Sequence, residues 1–538
     1  MKNREQILAE INTLSASKGF FNVLIRLTAI NLNSFVDTLA TRDWRKLLNQ
    51  NEIAFLFGFW LKNRNANFGG ILDIPQTANY VHELMDELHL SFMKKLPEPS
   101  ENVSYKEIFI TSSSLQETIF YSGTGAYDYQ YMDYLESKYS YDKEWLKSKK
   151  DVDIQTCIDF FTFLKSVVNY KLNFKGLPAD SIEIYSIDKN CCLFKKYPAF
   201  LKVIDLFSIK DNDVLNTEFN DIGDLNVFLL KPIIDSGNKF IFPFPYLVAE
   251  SIFESPFYWM LDDTGYKSKA LKNRGTCAEE IVKKELWKVF PPERVYNNVF
   301  VMANKATRLT DIDICVFYEE TLIIFQVKSK KLTQLSKKGN LEQIKLDFSQ
   351  AVEDSFNQIN KIYDPIIKNK CNLVDEQGKE VLKAESIKEI YSICIVLDNY
   401  PPLLIHSRIF YQDKDATPIA MTIFDFQILL KYLHTPALFL EYIQKRTVNS
   451  KTIYTDTELS YLKYFMTHGF EMPEDSDLLM LDGDFGQYFD KHYYMQLLSR
   501  YSRRFPDLIG NIGRNEGCFC GSGIKFKKCC AYIGFEAQ

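Results

Sequence analysis

Histidine is scarce: six residues among 538, scattered, with no H-E-x-x-H or H-x-H pattern. That removes the usual helical signature of a zinc hydrolase. The chain also has no G-x-x-x-x-G-K-[ST] phosphate loop and no G-x-S-x-G elbow, so neither a P-loop ATPase nor an α/β-hydrolase is indicated. No run of about 18 apolar residues is free of charge. The nearest, residues 241–261, carries Glu250 and Glu254 and reads as a buried segment. The opening MKNREQILAEIN lacks the apolar core of a secretory signal, so a cytoplasmic chain with reduced thiols and no membrane association is expected. A surplus of positive charge is missing too. Lys and Arg number 64 against 70 Asp and Glu, a net charge of −6. Contact with nucleic acid must therefore come from a local patch.

What is present is ordinary globular composition, 46% hydrophobic and 25% charged, in a chain long enough for about three to four domains. Residues 1 to about 100 read as mainly helical, with Val23, Leu27 and Ile30 at helical spacing. His82 and His89, seven apart on a second helical stretch, read as surface residues. Residues 101–130 have a β-rich composition around a Gly123–Gly125 turn, and helix returns over 131–175. Residues 176–250 mix short strand-like runs with a turn at Asp235–Gly237. The whole of 1–265 is expected to be a mainly helical or α+β region. Residues 266–440 have a clearer order: a helix after Gly275, stopped by Pro291–Pro292, then VYNNVFV, DIDICVFY and TLIIFQVKS as strands, the last two joined by a tight turn at Glu319–Glu320. A helix, an apolar strand (IYSICIVLD) and a last helix follow, which predicts an α/β sandwich around a small sheet. A helical connecting segment is expected over 441–512 and a distinct tail over 513–538, so the chain reads as multidomain α/β.

Four of the 11 Cys lie in that tail: Cys518, Cys520, Cys529 and Cys530. Four thiolates spaced C-x-C and C-C suit the tetrahedral demand of structural Zn²⁺. Gly521 and Gly523 let the chain turn back, and Lys525, Lys527 and Lys528 offset the charge of a zinc tetrathiolate. The segment is too short for a core, so metal binding would supply its folding free energy. The other cysteines, the Cys191–Cys192 pair included, read as buried apolar residues. Together with Arg514 and Asn515, the tail resembles the SEC-C motif, known from the C-terminus of the preprotein translocase ATPase and from many unrelated bacterial proteins. The resemblance implies a zinc knuckle and a docking surface for a protein partner.

A second constellation is Gly275-x-x-x-Glu279, then Asp311-x-Asp313, then Gln326-x-Lys328. Phosphodiester hydrolysis needs a divalent cation to polarise the phosphate and acidify a water, and oxygen ligands suit Mg²⁺. In a hairpin Asp313 lies on one strand while Gln326 and Lys328, two apart, project from one face of the next; Glu279 comes in from the preceding helix. The register of that helix leaves Glu280 as an alternative to Glu279. The pattern resembles the PD-(D/E)xK nuclease superfamily, especially its Mrr-like and NERD branches, over roughly 266–440. The resemblance implies a restriction-endonuclease-like α/β/α core and Mg²⁺ or Mn²⁺ as catalytic cofactor. By position it implies Asp313 as principal metal ligand, Gln326 as a second ligand through its amide oxygen with the Val327 carbonyl beside it, Lys328 as the residue that orients the attacking water, Glu279 as an outer ligand and Gln350 in support. Gln326 replaces the commoner Glu and removes one negative charge. Six lysines against one acid over 328–345 make a basic loop, in which Lys330, Lys331, Lys337 and Lys338 are candidate phosphate contacts. The expected function is a metal-dependent nuclease, on DNA ahead of RNA and, by analogy, in prokaryotic defence. The rival is an inactive nuclease-fold adaptor docking on a protein or ribonucleoprotein through the SEC-C tail.

Overall fold

The computed structural model describes residues 2–37, 47–64, 72–93, 111–121, 125–174, 178, 180–397, 419–455, 457–474, 476–481, 488–490, 493, 513–516 and 525–528. The protein is multidomain and mixed α/β. Its chain divides into two compact units: Met1–Leu96 with Asp128–Ala270 and Lys491–Gln538, and Pro97–Tyr127 with Leu271–Asp490.

The first unit is mainly helical. Helices Arg4–Ser15 and Gln50–Asn63 each open on a reciprocal cap, Asn3 with Gln6 and Asn49 with Glu52, which satisfies otherwise orphaned backbone donors. In helix Phe20–Asp37, Val23 and Leu27 are buried as their spacing predicts, whereas Ile30 is exposed. Strands β1 (Ser186–Asp188), β2 (Ser208–Lys210), β3 (Ile233–Ser236) and β4 (Lys239–Ile241) form a small sheet in the order β1-β4-β3-β2 among the described residues. The β3–β4 hairpin turns at Gly237, whose φ of 53° suits glycine. The segment 241–261 is buried as expected, mostly as helix Pro245–Asp262, and Lys138 pairs with its Glu254 at 3.2 Å.

Two sequence expectations are corrected. The stretch 101–130 expected to be β-rich has no strand among its described residues and is helical over Ser112–Tyr121 and again from Asp128. The Thr111 hydroxyl accepts from the Ser114 N–H and caps the first of these helices, and its Leu115 packs against Ile344, so tertiary burial overrides composition. The helix expected to follow Gly275 instead begins at Lys267 and runs through that glycine to Leu286. A helical Gly costs only about 1 kcal/mol relative to Ala, which the packed remainder of the helix tolerates.

The second unit is built on a sheet of seven strands among the described residues, in the order β11-β10-β7-β6-β5-β8-β9. These are β5 (Val295–Asn304), β6 (Thr307–Tyr318), β7 (Thr321–Lys328), β8 (Asn372–Val374), β9 (Glu380–Leu382), β10 (Glu389–Val396) and β11 (Ile419–Thr422). Strands β7, β10 and β11 run parallel, and β6 returns antiparallel to β7 through the predicted turn, where Glu319 adopts a φ of 49°. Alternation along β7 sends Ile324 to one face and Phe325 to the other. On the first face Ile324 and Leu322 pack with Ile359, Ile362 and Ile366 of helix Asp354–Ile367. On the second, the Phe325 ring lies 5.7 Å from Phe426 and 6.4 Å from Phe439, which belong to helices Ile423–Tyr432 and Pro436–Asn449. Covered on both faces, β7 is buried along almost its whole length and reads as a continuous apolar run. Its polar residues Gln326 and Lys328 therefore need a specific reason to be there.

Candidate metal and nucleic-acid site

The paired register of β6 and β7 closes with Ile314 opposite Phe325. Asp313 and Gln326 are the next residues along, where the backbone ladder gives way to side-chain bonds. The Asp313 carboxylate accepts the Val327 N–H at 2.8 Å. The Gln326 Nε2 donates to the Asp311 carbonyl at 3.1 Å. That bond fixes which way the amide points and leaves Oε1 as the free end. Gln326 is 1% exposed, and its Oε1 is buried with no hydrogen-bond partner. A buried acceptor left unmade costs about 1–3 kcal/mol, so it calls for an explanation. The Lys328 carbonyl is held by the Leu397 N–H at 2.9 Å.

Glu279 stands on helix Lys267–Leu286, close enough for Asp313, Lys328 and Asp311 all to act on its charge. Burial, and then the neighbouring Asp313, push its carboxyl up to about 7, with Lys328 working the other way. Burial also raises Asp313, opposed by the Val327 N–H and Lys328. Glu280 lies about 100° further round the helix, so the register favours Glu279. The four expected residues thus gather at one end of the β6–β7 hairpin. Gln350 does not visibly join them: it is exposed, on a π-turn over Ser349–Glu353 between two helices.

The donor set fits a divalent cation. Two carboxylates with raised proton affinity and an orphaned amide oxygen form a cluster with surplus acceptors and one lysine. Among the described residues no group of three or more His, Cys, Asp and Glu side chains could hold a metal.

Two residues near the site carry no sequence signal. Arg274, 4% exposed, donates from Nε to the Ser329 carbonyl at 3.2 Å, linking the Glu279 helix to the end of β7. Asp347, fully buried, accepts from the Thr333 N–H at 2.7 Å, the Ser336 hydroxyl at 2.7 Å and the Gln343 amide at 2.9 Å. It also pairs with Lys330 at 3.3 Å. Burial alone would raise its carboxyl, but these hydrogen bonds hold it below the ordinary range. Asp347 thereby organises the basic loop and engages Lys330 within it. Lys331 is half-buried, while Lys337 and Lys338 are exposed around the short helix Gln334–Lys337.

At the C-terminal tail, Cys518, Cys520, Cys529 and Cys530 lie outside the described residues. The residues leading to each pair are described and bonded to one another. The Phe526 N–H donates to the Glu516 carbonyl at 2.8 Å, and the Lys527 N–H to the Arg514 carbonyl at 3.0 Å. Phe526 is 2% exposed. The chain thus closes on itself just ahead of both cysteine pairs.

Comparison with known families agrees at this end of the molecule: the SEC-C motif matches residues 514–531. No solved structure matches the chain significantly. No helix among the described residues is long and apolar enough to cross a membrane.

Proposed function

We propose that this protein is a metal-dependent nuclease of the PD-(D/E)xK type, hydrolysing phosphodiester bonds from a restriction-endonuclease-like core in its second unit, with a zinc-binding SEC-C tail. Two observations carry the reading: Glu279, Asp313 and Lys328 lie within reach of one another's charge, and Gln326, next to the Val327 N–H that Asp313 accepts, keeps a buried amide oxygen with no protein partner. A bound Mg²⁺ or Mn²⁺ supplies polarisation of the phosphate and a more acidic water. Asp313 and the Gln326 Oε1 are the residues that would hold that ion, and the neighbouring Glu279 would serve as an outer ligand once ionised. Lys328, next to both carboxylates, holds the attacking water by its ammonium. Cys518, Cys520, Cys529 and Cys530 would hold Zn²⁺, a reading supported by the SEC-C match over 514–531.

The adaptor reading draws on one feature, the amide at position 326 where a third carboxylate would strengthen metal binding. In it the hairpin site is silent and the SEC-C tail does the docking. Purified protein with Mg²⁺ or Mn²⁺, offered single-stranded DNA, duplex DNA and RNA beside Asp313→Ala and Lys328→Ala, separates the two. The nuclease reading predicts cleavage that both substitutions abolish. No cleavage of any substrate, or cleavage indifferent to both substitutions, favours the adaptor.

A further inference from the structure

The helix that carries Glu279 is packed unevenly along its length. From Cys277 onward its inner stripe is closed: Cys277, Ala278, Ile281, Val282 and Leu286 are all buried. At 100° per residue, Gly275 and Leu271 continue that stripe toward the helix N-terminus, next to the azimuth of Glu279. There that side of the stripe is open, while Ala270 and Arg274 keep its other side buried. Leu271 is 49% exposed, and a Cβ placed on Gly275 would meet nothing within 4 Å. Gly275 has no positive φ and sits in regular helix, so the backbone does not require glycine. Neither packing nor conformation accounts for the residue, and the space beside it adjoins Glu279. Lys272, exposed, falls about 20° from the Glu279 azimuth and about 10 Å back along the axis. The buried, unpartnered Gln326 Oε1 belongs to the metal site of the nuclease reading, on which this inference rests.

Resting on the nuclease reading, we infer that Leu271, Lys272 and Gly275 form the floor along which a nucleic-acid strand leaves the metal site. The missing side chain at Gly275 lets the sugar–phosphate backbone approach the helix closely. Lys272 pairs with a flanking phosphate: phosphates on one strand advance about 3.4 Å each along a duplex axis, so its distance matches a phosphate some three nucleotides from the scissile one. Leu271 offers an apolar surface to a sugar or base. Both flanking contacts are uniform along any strand, so this floor positions the backbone and carries no sequence preference.

The test uses the full chain with Gly275→Leu and Lys272→Glu. Strand affinity is read by fluorescence anisotropy in Ca²⁺, and Mn²⁺ affinity is read separately. Gly275→Leu fills open space with a better helix former, so it should melt no lower than wild type. It should keep its Mn²⁺ affinity and bind the strand at least about tenfold more weakly. Lys272→Glu, a surface change that leaves folding intact, should weaken strand binding and lower the slope of log affinity against log salt by about one to two. Strand affinity within twofold of wild type in both variants would overturn the floor while leaving the nuclease reading standing. Wild-type protein that neither binds nor cleaves any strand would instead defeat the nuclease reading, and this inference with it.

Discussion

Two of the buried clusters of charge described in the second unit are built to opposite ends. In one, Arg446 meets Glu458 through two bonds of 3.1 Å, the Tyr442 hydroxyl caps the same carboxylate, and the guanidinium lies 3.5 Å over the Tyr461 ring. Burial opposes the Arg446 charge, yet Glu458 outweighs it and raises the guanidinium above its usual range. There the opposite charges meet directly, and the Glu458 carboxylate is bonded by Arg446 and Tyr442. In the other, Glu279 and Asp313 face each other's charge with only Lys328 to offset them, and the Gln326 Oε1 has no protein partner. The residue types are similar. What separates a structural pair from a candidate site is the unspent capacity: acceptors in excess, held by the fold where they would rather be protonated.

The comparison breaks most visibly when each cluster loses a member. Removing one partner from a buried, satisfied ion pair typically costs about 3–5 kcal/mol. Arg446→Ala should therefore lower the melting temperature sharply, read by calorimetry, without changing metal affinity. Asp313→Ala should do the reverse: a smaller loss of melting temperature than Arg446→Ala, since relief of a carboxylate that burial disfavours offsets the unmade Val327 N–H, and a fall in cleavage of at least about 100-fold. If Asp313→Ala unfolds the protein as badly as Arg446→Ala does, the distinction between the two clusters is lost.

Adding to the open cluster is the next test. Gln326→Glu supplies the carboxylate the site lacks. Mg²⁺ affinity by calorimetric titration should rise by about tenfold, while the metal-free protein should melt lower because three acids then share one lysine. An unchanged Mg²⁺ affinity would place the cation elsewhere.

Acidity sharpens the contrast further. Asp425, near the closed pair, is raised to about 7, first by burial and then by Glu458, against the Thr422 hydroxyl that bonds it; Glu279 is raised to about 7 in the open cluster. Each binds more protons folded than unfolded between the ordinary carboxylate range and about 7. The stability each contributes is thus full at low pH and is lost as pH rises through that window. Melting temperatures measured from about pH 4.5 to about pH 7.5 should fall with pH, and Glu279→Gln and Asp425→Asn should each remove part of the fall. Saturating Mg²⁺ should flatten the Glu279 share and leave the Asp425 share intact. An Mg²⁺ effect that persists undiminished in Glu279→Gln would contradict the assignment.

The smallest expected effect on the fold is at the tail. Purified protein should carry about one Zn²⁺ per chain by elemental analysis. Cys518→Ser with Cys529→Ser should lose it, with no change in the melting of the second unit. Retention of zinc by that double variant would refute the tetrathiolate assignment.

These contrasts were unequally visible in the sequence. Asp313, Gln326 and Lys328 were legible because polar residues interrupt apolar strands on both sides of a recognisable turn, and because residues two apart on a strand share a face. The SEC-C character of the tail was legible from its cysteine and glycine spacing. Strands β8, β9 and β11 were missed because runs of three or four residues establish no period, and β11 runs straight into the helix that follows it. The true start of the Glu279 helix was hidden by Gly275, which reads as a breaker but sits in open space inside regular helix. Asp347 and Arg274 could not be found beforehand, since their roles come from partners that only folding brings near: Asp347 with Thr333, Ser336, Gln343 and Lys330, and Arg274 with the Ser329 carbonyl. The Arg446–Glu458 pair was equally silent, because a charge at helical spacing says nothing about which charge will face it.

The most direct measurement is Mn²⁺ binding to zinc-loaded protein, followed by electron paramagnetic resonance, for wild type beside Asp313→Ala and Arg446→Lys. The account predicts about one tightly held Mn²⁺ per wild-type chain, retained in Arg446→Lys and lost in Asp313→Ala. Absence of bound Mn²⁺ in the wild type, or binding that Asp313→Ala leaves untouched, would contradict it.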